Sequence, residues 1–84
     1  MKLRIRGNSL RLRVTRPELE AFQASGAIHE SLEFPDGPVL TYRLIADGQI
    51  SDPKVDFAGD VISVRLPRAA VQEWLAPEEV GIQA

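Results

Sequence analysis

The alternation in the opening sixteen residues constrains the fold more than anything else in the chain. Leu3 and Ile5 alternate with Lys2, Arg4 and Arg6; after Gly7-Asn8, Leu10, Leu12 and Val14 alternate with Arg11, Arg13 and Thr15. A period of two marks strands with one buried face. Gly7-Asn8 suits a two-residue type II′ turn, because glycine accepts the positive φ of the first central position. Such a turn fixes the register: Ile5 faces Leu10 and Leu3 faces Leu12 on the apolar side, with Val14 beyond them. On the other side Arg4 faces Arg11 and Lys2 faces Arg13. Like charges directly across a strand pair repel. The register therefore implies a negative neighbour: another strand, another subunit or a ligand.

Charge is divided accordingly. Residues 1–16 carry six bases and no acid (+6), and the remaining 68 carry four bases and twelve acids (−8), for a net charge of −2. A single domain spanning 1–84 is expected, since a chain of this length has no room for a linker and a second core. It buries roughly 60–65% of its unfolded surface, enough to fold alone with little margin. No apolar run approaches the ~20 residues of a membrane span. Met1 leads straight into charged residues rather than a signal peptide, so the expected location is cytoplasmic. Without cysteine there is no disulfide frame, thiolate nucleophile or thiolate zinc site.

Thr15-Arg-Pro-Glu18 is a capping-box pattern with an early proline. It predicts a helix over Arg16–Ala24 that stops at Gly26 and buries Leu19 and Phe22. From Ile28 the period returns to two, with Ile28, Leu32 and Phe34 opposite His29, Ser31 and Glu33. Pro35-Asp-Gly-Pro38 is a turn, and Val39 to Ile45 is a strand with Leu40, Tyr42 and Leu44 toward the core. Val55 and Phe57, a Gly59-Asp60 turn, then Ile62, Val64 and Leu66 read as a hairpin. Pro67 opens a second helix over Arg68–Ala76, with Ala70, Val71, Trp74 and Leu75 as its apolar stripe. Pro77 ends it, and Val80 and Ile82 follow at strand spacing. The expected fold is α+β: one antiparallel sheet of about five to six strands and two short helices, in the order ββαββββα.

The opening MKLRIRGNSLRLRVTRPE, the later Ile62-Ser-Val-Arg-Leu-Pro-Arg68, Glu73-Trp74 and Val80-Gly-Ile82 resemble a small family of uncharacterised bacterial proteins. These stretches cover about half the chain. The resemblance implies no activity, substrate or cofactor, and transfers no site residues. It implies that members continue with another strand and a polar tail, so that this sequence, ending at Ala84, lacks such a segment.

Catalytic chemistry finds little support in the residues. His29 sits on the polar side of its strand and Glu30, its nearest carboxylate, points to the other side, so the pair does not form a metal site. No serine lies in a G-x-S-x-G elbow, and there is no phosphate-binding glycine loop or EF-hand spacing. Asp36, Asp47, Asp52, Asp56 and Asp60 lie near turns, where aspartate is ordinary. No catalytic residue, cofactor or metal is expected. Ser9 is most simply the residue after a turn, although Asn8-Ser9 beside the arginines could form an anion-binding loop.

The basic hairpin remains. Arginine suits bidentate contact with carboxylate or phosphate, and Lys2, Arg4, Arg6, Arg11 and Arg13 would share one face. The plain alternative is a solvated face covered from within by Glu30, Glu33, Glu78 or Glu79. For nucleic acid the face lacks interleaved aromatics, and a pI of about 5.3 is acidic for such a binder. The leading expectation is a non-enzymatic interaction module whose Arg-rich face contacts an acidic protein surface or another copy, the latter making a homodimer, without membrane contact. A nucleic-acid or phosphorylated-ligand binder using the same face is the second reading. A small enzyme or enzyme subunit is the third.

Overall fold

The structure, a computed structural model, describes residues 1–72 with their side chains and the backbone of residues 79–83. The elements are β1 (Lys2–Arg6), β2 (Ser9–Arg13), α1 (Arg16–Ser25), β3 (Ala27–Glu33), β4 (Val39–Asp47), β5 (Lys54–Ala58), β6 (Val61–Pro67), α2 (Arg68–Gln72) and β7 (Glu79–Gln83). The α+β class is as expected, but the single antiparallel sheet is replaced by two. One has the order β1-β2-β7 and the other β3-β4-β6-β5.

The first hairpin forms in the expected register: Ile5 pairs with Leu10, Leu3 with Leu12, Arg4 with Arg11 and Lys2 with Arg13. Gly7 takes φ +55°, as the first position of a type II′ turn requires, and Asn8 keeps a negative φ. One part of the expectation is corrected. Leu12 and Val14 are fully buried, but Ile5 is 59% exposed, because it lies near the turn end of an outer strand.

The capping box at α1 is complete. Thr15 Oγ1 accepts from the Glu18 amide and Glu18 returns a carboxylate to the Thr15 amide. The helix ends at Gly26, whose φ of +84° lets its N–H reach the Phe22 carbonyl at 2.7 Å. Gly26 also accepts from the Ala46 amide at 2.8 Å, tying the helix end to β4.

The larger sheet departs most from the expectation. β4 and β6 lie side by side and parallel, with Leu44 beside Val64 and Ala46 beside Leu66. β5 forms the outer edge, antiparallel to β6. The reason is burial. β6 is covered on both faces, Ser63 being 1% and Val64 0% exposed, whereas only Val55 of β5 is even partly buried. The more continuously apolar strand takes the inner position, and the 48–53 connection carries the chain past it. Buried Ser63 is satisfied by the Arg43 guanidinium, whose Nε donates to its Oγ at 2.7 Å.

The core joins both sheets and the helices. Leu12 and Val14 of β2, Leu19 and Phe22 of α1 and Val71 of α2 pack on Leu44, Ala46, Val64 and Leu66. The helical prediction for residues 73–76, with Trp74 and Leu75, lies outside the described residues.

β7 was absent from the expected order. It pairs with β2, setting Ile82 opposite Leu10 and Val80 opposite Leu12. The alternation that formed the hairpin therefore extends into a third strand.

Candidate functional site

The register of the smaller sheet arranges the basic residues in rows. Lys2, Arg13 and Glu79 form the first, Arg4, Arg11 and Gly81 the second, and Arg6, Ser9 and Gln83 the third. Five bases thus meet one acidic position within the sheet. Lys2, Arg4, Arg11 and Arg13 converge around one small surface hollow. Arg4, Arg6, Ser9 and Arg11 line a second, of about 110 Å³. All five bases are exposed. No described carboxylate pairs with Lys2, Arg4 or Arg6, the three bases of β1, whereas Arg11 and Arg13 each have an interaction partner. Ser9 Oγ donates to the Arg6 carbonyl at 2.8 Å, so its hydroxyl proton serves the turn.

Glu30, one of the acids that could have covered the basic face, is used elsewhere. It occupies the inner side of β3, in the row with Tyr42, and one of its oxygens accepts from the Met1 ammonium at 2.7 Å. Its other oxygen accepts from the Tyr42 hydroxyl at 2.9 Å. The part-buried Met1 ammonium also donates to Glu18 Oε2. Glu18 Oε1 meanwhile accepts from the Thr15 amide at 2.9 Å. The start of β1 is thereby fixed over α1 and the β3–β4 pair.

The protonation of this cluster follows from its surroundings. Burial lowers the pKa of the Met1 ammonium, but the hydrogen bonds and charges of Glu18 and Glu30 outweigh it, and the net shift is upward. Burial likewise raises Glu18, yet the ammonium and the Thr15 donors bring it below the ordinary carboxylate value. Tyr42 is raised, by burial first and then by its bond to Glu30 and the charges of Glu30 and Glu18.

A second feature lies on the other side of the hairpin. Leu10, Leu40, Val55, Phe57 and Ile62, with Asp56 at the margin, line an open apolar cleft of about 370 Å³ between the two sheets. Phe57 is 65% exposed, and Leu32, which pairs with Leu40, is 51% exposed.

His29 faces outward beside Arg43, and Glu30 faces inward, as strand alternation requires. Among the described residues no group of three or more His, Asp or Glu is placed to hold a metal ion. No described helix is long and apolar enough to cross a membrane.

The chain belongs to a family of unknown function, DUF7009, whose model matches residues 1–84. No curated protein and no solved structure matches it.

Proposed function

We propose that the protein is a small interaction module whose hairpin face, Lys2, Arg4, Arg6, Arg11 and Arg13, receives an acidic protein surface. The observation that carries this is the placement of Lys2, Arg4 and Arg6 along one strand with no described carboxylate against them. Glu30, one of the four acids that could cover the face from within, is committed to Met1 and Tyr42. Bases held side by side repel one another, and a carboxylate-bearing partner relieves that repulsion. The acidic remainder of a second copy carries the same chemistry as a foreign acidic surface.

Titration with oligoglutamate, followed by amide chemical shifts, tests the reading. Binding should centre on residues 2–13 and weaken as salt rises from about 50 to 200 mM, since exposed charge pairs are screened. The cross-strand variant Arg4→Glu/Arg11→Glu should lose it while keeping the native circular dichroism. Sedimentation of the protein alone separates the two sources: a salt-sensitive dimer abolished by the same variant identifies a second copy. Unchanged oligoglutamate affinity and self-association in the folded variant would leave the hairpin as solvated surface.

A further inference from the structure

We infer that the outer edge of β1 is a strand-addition site for an extended segment of another protein in which acidic and apolar side chains alternate. This inference rests on the acidic-partner reading above and specifies how the partner is held. Among the described residues β1 is the terminal strand of its sheet and pairs only with β2. In a two-residue hairpin the residues flanking the turn, Arg6 and Ser9, exchange both backbone hydrogen bonds, and such pairs recur at every second position. Lys2, Arg4 and Arg6 therefore spend their backbone groups on β2. Leu3 and Ile5 turn their N–H and C=O groups outward, an unpaired ladder of the kind an added strand completes.

The two faces of β1 define the guest. On one, Lys2, Arg4 and Arg6 ask for acids at alternate positions. On the other, Leu3 is half-buried and Ile5 is 59% exposed, beside Leu10, which lines the seam between the two sheets. Apolar side chains at the intervening guest positions would cover this seam. Exposed ion pairs contribute only a few-fold each to affinity, so backbone pairing and apolar cover are what give the site useful strength. The strand is also held in place beforehand, because the Met1 ammonium is gripped by Glu18 and Glu30, which lowers the ordering cost of binding.

Charge also decides whose strand is added. A second β1 would bring bases against bases. The other edge strands offer no alternating acids: successive same-face positions read His29, Ser31, Glu33 and Ile28, Glu30, Leu32 in β3, Lys54, Asp56, Ala58 in β5 and Glu79, Gly81, Gln83 in β7. None has more than one acid in three. The guest therefore comes from a different chain.

Three capped peptides test the inference on the full 84-residue chain: Glu-Val-Glu-Val-Glu, the same peptide N-methylated at both valine amides, and Glu-Glu-Glu-Val-Val. The alternating peptide should bind, and should slow hydrogen exchange at the Leu3 and Ile5 amides. N-methylation and scrambling should each weaken binding by about tenfold or more, since each removes ladder bonds or their register. Equal affinity for all three, without slowed exchange at Leu3 and Ile5, would overturn strand addition while leaving acid recognition by the hairpin intact. Failure of all three peptides and of oligoglutamate to bind would overturn both.

Discussion

Glu18 and Met1 are joined so that one carboxylate performs two tasks. Its Oε1 closes the capping box of α1 through Thr15, and its Oε2 holds the Met1 ammonium at the start of β1. The first helix and the edge strand that carries the basic residues therefore depend on a single side chain.

Loss of that side chain should cost more than loss of the cap alone. Thr15→Ala should destabilise the protein by about 1 kcal/mol, the usual value of an N-cap. Glu18→Ala should cost about 2–3 kcal/mol, because it also removes one of the two charge-assisted hydrogen bonds to the part-buried Met1 ammonium. Urea unfolding of the two variants measures the difference. Equal losses would show that the Met1–Glu18 pair contributes nothing to stability.

The same cluster sets the pH range of maximum stability. The Met1 amine has a raised pKa in the folded state, so its contribution is complete below its unfolded value of about 8 and is lost as pH rises through the higher folded value. Tyr42, also raised, acts in the same direction above about pH 10. Glu18 is lowered, so its contribution is present above its unfolded value of about 4.3 and is lost as pH falls through the lower folded value. Urea midpoints should form a plateau between about pH 4.5 and 8. Acetylation of the Met1 amine should lower the plateau and remove the decline that begins near pH 8.

Core and cleft aromatics should respond oppositely to truncation. Phe22 is fully buried, and Phe22→Ala should cost about 3–5 kcal/mol. Phe57 is 65% exposed, and Phe57→Ala should change stability by no more than about 0.5 kcal/mol. Unfolding midpoints of the two variants check both.

The parts of the fold governed by local rules were legible in the sequence. Gly7-Asn8 permits only one short turn that keeps Leu3, Leu10 and Leu12 together, and Thr15, Glu18 and Gly26 mark both ends of α1. The partition into two sheets was not legible, because alternation reveals a strand but not its neighbour. The clue lay in comparing β5 with β6: Val61, Ile62, Val64 and Leu66 outweigh Val55 and Phe57, and the richer strand took the centre. The basic face was legible residue by residue, but its relation to Glu30 was not. An acid between Ile28 and Leu32 on that side of β3 signals a positive or donating partner. That partner, a backbone ammonium, has no side-chain signature in a sequence.

Exchanging the charges across the proposed contact tests the central claim most directly. Arg4→Glu/Arg6→Glu alters two exposed side chains of β1 that no described carboxylate pairs with. Affinities of the native chain and this variant for capped Glu-Val-Glu-Val-Glu and Lys-Val-Lys-Val-Lys form the four arms, with circular dichroism confirming both folds. The expected result is reversal: the native chain prefers the acidic peptide, the variant prefers the basic one, and both preferences fade with salt. Equal affinities of the two folded proteins for both peptides would contradict the claim that the β1 bases recognise an acidic partner.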